Sequence, residues 1–178
     1  AALYITHDLA VVAQVADRIM VLRHGKMLEL GDTKQILLAP NTEYARALVS
    51  ERKAADKLSV ESDAVHGESL LEVRNALGLY GTFVAVNHVS ISVAKGETVA
   101  VVGESGSGKS SLARLILGLL PRQSGTVKFA GKELSPALKR RSKNDLRRIQ
   151  FIYQQPDVAL NPRQMIGEVI GRPIHFYY

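Results

Sequence analysis

The chain has 178 residues, 46% of them apolar and 22% charged, a balance that suits a folded chain and excludes wholesale disorder. It holds no cysteine, which excludes a disulfide scaffold, a thiolate metal site and a cysteine nucleophile. Lys and Arg number 23 against 17 Asp and Glu, and the net charge of +6 favours polyanionic partners such as nucleotides, nucleic acid or acidic lipid heads. No apolar run approaches the roughly 18 residues of a membrane-spanning helix, and no basic segment precedes an apolar one at the start, so neither a span nor a secretory signal is predicted. The chain opens on Ala1 inside a strand-like run and closes on the apolar Ile174 to Tyr178, so it reads as a piece of a longer protein.

In chain order, Ala2 to Thr6 predicts a buried strand, and Asp8 an N-cap for a helix with Leu9, Val12 and Val15 or Ala16 on one face. Ile19 to Leu22 is a second apolar run, and His24-Gly25 a tight turn into Met27 to Leu30. Asp32 with Gln35 three residues on predicts a capping box, and Asn41 a cap for a helix through Tyr44, Leu48 and Val49. Residues 51–69 are rich in charge and predict a solvated linker. Strands are then predicted at Leu70 to Val73, Val89 to Val93, Thr98 to Val102, Ser124 to Ala130 and Ile149 to Tyr153, with a helix from about Lys109 to Leu119.

One motif carries chemistry. Gly103-Glu104-Ser105-Gly106-Ser107-Gly108-Lys109-Ser110 fits G-x-x-x-x-G-K-[ST], the phosphate-binding P-loop. Glycines let the backbone turn its N–H groups onto phosphate oxygens, and the following helix adds its N-terminal dipole. Lys109 supplies a compact charge for the β- and γ-phosphates, and the Ser110 hydroxyl can ligate Mg²⁺. The context is the one the motif requires: an apolar, β-branched strand before it, and Leu112, Leu115, Ile116 and Leu119 on one helical face after it.

With these residues the chain resembles the ATP-binding-cassette (ABC) transporter ATPases, and within them the oligopeptide and dipeptide import branch, where two cassettes are often fused. From Leu70 onward it is similar to the start of a cassette. Tyr80 matches the aromatic that stacks on adenine, with Phe83 a nearby competitor, and Gln154 the Q-loop glutamine, with Gln150 and Gln155 as alternatives. Ala159-Leu160-Asn161-Pro162-Arg163 resembles the import branch's S-L-N-P-R run, with alanine for serine. The first fifty residues resemble the end of a cassette: Tyr4-Ile5-Thr6-His7-Asp8 matches the switch motif, and Pro40 to Leu48 partly keeps the branch's P-x-H-P-Y-T-x-x-L segment. No L-S-G-G signature and no apolar strand ending in Asp-Glu occurs.

The resemblance implies an α/β P-loop NTPase of the ABC nucleotide-binding-domain type, incomplete in both cassettes. Residues 1–50 would be the C-terminal piece of a first domain, 51–69 a linker, and 70–178 the N-terminal piece of a second. It implies ATP and Mg²⁺ as cofactors. His7 would sense the γ-phosphate, and Gln154 would contact Mg²⁺ or the attacking water. Tyr80, Gly103, Ser105, Gly106, Ser107, Gly108, Lys109, Ser110 and Ser111 would bind nucleotide, with Ser110 and Gln154 at the metal. It implies membrane permease subunits, a second ABC cassette and, indirectly, a periplasmic or extracellular solute-binding protein as partners, and a peripheral place on the cytoplasmic face of the inner membrane. His7 and Lys109 are expected in two different ATP sites, and the strands from Leu70 to Tyr153 are expected to lack their later neighbours.

Two other readings stand beside this one: an ABC-type ATPase acting on nucleic acid or ribosomes, and a nucleotide-binding remnant without hydrolysis. Lys139 to Arg148 holds six basic residues and Asp145, either a nucleic-acid patch or a solvated helix and loop. With no aromatic interleaved for stacking, the solvated reading is preferred and no nucleic-acid partner is expected. His66, His88 and His175 show no ligand spacing and receive no metal role.

Overall fold

The computed structural model describes residues 1–6, 8–53, 67–153, 160–161 and 163–178. The apolar opening forms β1 (Ala2–Ile5). Asp8 then caps α1 (Leu9–Val15), its carboxylate accepting from the Ala10 and Val11 amides at 2.8 and 3.3 Å. β2 (Arg18–Arg23) and β3 (Lys26–Asp32) form an antiparallel hairpin. Its turn residues His24 and Gly25 both have positive φ, 48° and 73°, as a turn matching the twist of the strands requires. α2 (Thr33–Leu38) and α3 (Glu43–Lys53) close the N-terminal part.

The second part begins with a long hairpin, β4 (Ser69–Tyr80) and β5 (Phe83–Ala94), extending well beyond the short apolar runs that announced it. β6 (Thr98–Val102) feeds the glycine-rich loop and α4 (Lys109–Leu117). β7 (Arg122–Phe129), the two-residue β8 (Lys132–Glu133), α5 (Lys143–Arg148) and α6 (Ile166–Tyr177) follow.

The strands make two sheets of four, ordered β1-β6-β2-β3 and β5-β4-β7-β8. In the first, β6 runs parallel to both neighbours, pairing Leu3 with Val99 on one side and Ile19 with Ala100 on the other. The strand feeding the P-loop therefore has both edges satisfied by residues from the first fifty. In place of the later neighbours expected to be missing, β6 has a strand of the first fifty residues on each side.

Burial follows the period of two. Met20, Leu22, Val99 and Val101 face a core shared with α4 and the second sheet, through Leu112, Leu115, Val86, Val89 and Val127. Ile19, Val21, Ala100 and Val102 face the opposite way, onto Leu9, Val12, Ile36 and Val49 of α1, α2 and α3. Removing one such buried Leu or Ile side chain to Ala costs about 2–5 kcal/mol.

Polar groups moor the two parts at the other end of β6. The Asp17 carboxylate accepts from the Thr98 amide at 2.6 Å, and the Asp17 amide donates to the Thr98 carbonyl at 2.8 Å. Arg18 donates to the buried Glu97 carboxylate at 3.1 Å. That carboxylate also accepts from the Ala94 amide, so the turn before β6 is tied to β2.

Three local expectations are corrected. Asp32 makes no side-chain cap to α2, and the Gln35 side-chain amide donates to Glu29 at 3.1 Å. The cap of α3 is Thr42, whose hydroxyl accepts from the Ala45 amide at 3.2 Å, while Glu29 takes the Asn41 and Thr42 amides at 2.9 and 3.0 Å. Ile149 to Tyr153 forms no strand: Ile149 packs against the core, and Ile152 is exposed.

Candidate functional site

Gly103 to Gly108 loops from the end of β6 to the first residue of α4, so Lys109 opens a helix whose first-turn N–H groups have no partner within the helix. Gly108 adopts φ 100°, and a Cβ there would lie 2.5 Å from the Ala85 carbonyl oxygen. Gly103 adopts φ 153°, and a Cβ there would run into the Leu22 carbonyl oxygen. The loop is thus shaped by close backbone approach from β5 on one side and β2 on the other.

Lys109 folds over this loop. Its ammonium donates to the Gly103 and Glu104 carbonyl oxygens at 2.8 Å each and reaches the Ser107 hydroxyl at 3.4 Å. Partial burial lowers its pKa, because desolvation disfavours the charged form. A half-buried cation held by neutral carbonyls beside a helix N-terminus is a site for a polyanion, since an anionic oxygen binds an ammonium more strongly than a carbonyl does. Ser105, Gly106 and Ser110 are exposed around it, Ser107 is buried, and Ser111 is half-buried in the helix's first turn. Gly106 and Gly108, with φ 81° and 100°, present the loop backbone without side chains. These residues fit a nucleotide triphosphate with Mg²⁺ at the Ser110 hydroxyl.

Tyr80 lies at the tip of the β4–β5 hairpin, opposite Phe83, and its hydroxyl accepts from Arg114 of α4 at 3.4 Å. The hairpin tip is thereby brought beside the P-loop helix, with both rings exposed to solvent. His7 and Gln154 lie outside the described residues, as do Ala159 and Pro162 of the A-L-N-P-R run. Thr6, beside His7, donates its amide to the Val101 carbonyl at 3.2 Å. β1, which ends at Ile5, pairs in parallel with β6, which feeds the P-loop.

The basic run 139–148 is dispersed by the fold. Arg141 is buried, donating to the Ile116 carbonyl at 2.7 Å at the end of α4. Lys143, Arg147 and Arg148 stand over the rings of Phe176, Tyr178 and Phe129 at 5.4, 5.4 and 4.8 Å. Among the described residues no cluster of His, Cys, Asp and Glu could hold a metal, and no helix is long and apolar enough to cross a membrane.

Sequence reasoning missed the residues of the N-terminal part that touch the loop. The Gly25 amide donates to the Ser107 carbonyl, and the Gly25 carbonyl accepts from the Asn87 amide, each at 2.8 Å. The Tyr44 hydroxyl accepts from the Glu104 amide at 3.0 Å, and the Arg23 guanidinium lies 4.6 Å over the Tyr44 ring. Gly25 was legible only as a turn. Tyr44 stood in a recognised segment, but nothing in its spacing says that α3 reaches the P-loop.

The sequence model of the ABC transporter family matches residues 86–171. The glutathione import ATP-binding protein of Escherichia coli strain K12 is 35% identical over 212 residues, covering 98% of this chain and 34% of the relative. The protein of the same name from Shigella boydii serotype 4 is 36% identical over 209 residues, covering 97% of this chain and 33% of the relative. The chain spans about a third of the length of these curated relatives. A solved nucleotide-free ATP-binding cassette from an ABC transporter is 38% identical where it aligns, over 39% of this chain and 27% of that one, with a TM-score of 0.38. The fold class is that of the ABC-type nucleotide-binding domain, present in part.

Proposed function

We infer, from the premise that residues 86–171 are ABC transporter ATP-binding domain, that this chain is part of the ATP-binding, ATP-hydrolysing subunit of an importer. The carrying observation is the half-buried Lys109 ammonium, held by two neutral carbonyls at the N-terminus of α4. Backbone amides of Gly106 to Ser111 and the Lys109 ammonium would neutralise the triphosphate, and Tyr80 would stack on the adenine. Mg²⁺, held by the Ser110 hydroxyl and Gln154, would supply the remaining positive charge. Such binding is chiefly electrostatic and draws on donors already in place.

The solute we propose is a peptide, with glutathione the small peptide that the curated relatives' names point to. Nearly the whole chain aligns in one direction with a relative about three times its length, which supports a natural order of switch motif first and P-loop second. On that reading residues 1–50 end one cassette and residues 70–178 begin another, across a linker at 51–69. Membrane permease subunits and a second ABC cassette would be the partners at the cytoplasmic face of the inner membrane, with a periplasmic or extracellular solute-binding protein an indirect one. In this chain, which has no signature motif and no Asp-Glu strand, the two parts hold nucleotide without turning it over.

Titrating the chain with a fluorescent ATP analogue and Mg²⁺ tests this. Saturable binding that falls at least tenfold in Lys109→Ala, with no Lys109-dependent phosphate release, is the expected result. Equal binding by both proteins refutes the nucleotide reading, and Lys109-dependent steady phosphate release refutes the claim that this chain does not turn ATP over.

A further inference from the structure

The Gly103–Glu104 peptide unit is gripped at both ends. Its carbonyl oxygen accepts from the Lys109 ammonium at 2.8 Å, and its N–H donates to the Tyr44 hydroxyl at 3.0 Å. The two bonds lie on opposite sides of one planar group, so fixing the N–H fixes the direction of the carbonyl. Tyr44 is itself held: its ring lies under the Arg23 guanidinium at 4.6 Å, and α3 is anchored by Glu29, which takes the Asn41 and Thr42 amides. Arg23 precedes the turn whose Gly25 amide holds the Ser107 carbonyl at 2.8 Å. The loop is therefore latched from the N-terminal part at its first peptide and at its middle.

We propose that Tyr44 is a positioning residue of the nucleotide site, which sets the Lys109 ammonium through the single peptide plane between Gly103 and Glu104. Without the hydroxyl, that peptide can rotate, since Gly103 tolerates conformations closed to other residues. Its carbonyl then ceases to hold Lys109 at the mouth of the loop, and the ammonium meets the triphosphate from a wider range of positions. The Pro40 to Leu48 segment thereby acquires a task inside the site, beyond closing a helix onto the core. The inference rests on the nucleotide reading above for its functional consequence and on geometry alone for the latch.

Tyr44→Phe removes the hydroxyl and leaves the ring for Arg23. Two measurements on the full chain decide the matter. In the nucleotide-free protein, amide hydrogen exchange at Glu104 should quicken about tenfold in Tyr44→Phe, while the melting temperature and the exchange of β6 stay unchanged. Affinity for the fluorescent ATP analogue should fall about three- to tenfold, the range for one lost neutral hydrogen bond. In a Lys109→Ala background, titrated at higher nucleotide concentration, the same substitution should change affinity less than twofold, because the two residues act through one group. Unchanged Glu104 exchange, or a Tyr44→Phe effect that persists in full without Lys109, overturns the proposal. A wild-type chain that binds no nucleotide removes the functional reading, and Glu104 exchange then still decides for or against the latch.

Discussion

Substituting Gly25 by Ala tests whether the N-terminal part is seated on the P-loop. Gly25 has φ 73°, where a side chain costs about 1 kcal/mol. Its added Cβ would stand 2.6 Å from the Ala85 carbonyl oxygen and 3.0 Å from the Ala85 carbonyl carbon. Those are backbone atoms of β5, which cannot rotate aside, so overpacking adds about 1–3 kcal/mol. Gly81, at the tip of the other hairpin, supplies the control: φ is 58° and nothing lies within 4 Å of an added Cβ. Gly81→Ala should therefore cost about 1 kcal/mol and Gly25→Ala about 2–4 kcal/mol. At about 2–4 °C per kcal/mol for a chain of this size, melting temperatures should fall by about 2–4 °C and about 4–16 °C respectively. Circular-dichroism melts of both variants and the wild type measure the difference. Equal falls would mean that Gly25 sits in a free surface turn, and the account of how the loop is shaped would fail.

His24, beside it, is exposed with φ 48°, so His24→Gly should leave the melting temperature unchanged or raise it by up to about 4 °C in the same melts. Burial alone would raise the Glu29 pKa, but the hydrogen bonds from Asn41, Thr42 and Gln35 together hold it below the ordinary glutamate range. A carboxylate depressed in the folded state stabilises above its unfolded pKa, and that contribution is lost as pH falls through the folded value. Urea midpoints of Glu29→Gln should therefore lie below the wild type at pH 7, and the gap should close as pH falls below the ordinary glutamate range; a gap constant with pH would sink the assignment. Arg141→Met should cost about 2–3 kcal/mol in urea unfolding, because it strips donors from the Ile116 carbonyl at the end of α4 and the Ser135 carbonyl after β8. A loss under 0.5 kcal/mol, within the scatter of surface substitutions, would contradict that role.

The local chemistry of the chain was legible because it is written within a few residues. The apolar, β-branched run at Thr98 to Val102, the Asp8 cap, the His24-Gly25 turn and the glycines of the P-loop each name their own conformation. What stayed hidden was pairing. Ile149 to Tyr153 has the composition of a strand and forms none, since composition alone does not supply a pairing partner. Asp32 likewise has the spacing of a capping box and makes no side-chain cap, while Gln35 donates to the buried Glu29 carboxylate six residues upstream. At the site the phosphate-binding loop was complete in sequence, whereas Gly25 and Tyr44 reach it only through the sheet that brings β2 and α3 beside it.

The placement of β6 between β1 and β2 governs how the chain must fold. Leu3 pairs with Val99 and Ile19 with Ala100, so each parallel partner waits through about eighty or more intervening residues for the strand that satisfies it. Parallel pairing at such separation is slow, because the loop must close before any contact rewards it. Until β6 arrives, β1 and the free edge of β2 present unpaired, apolar strand to the solvent and to other chains. The same arrangement that seats the P-loop from both sides therefore makes this sheet a late event in folding, and β6 the keystone that fills the inner edge of β1 and the open edge of β2 at once.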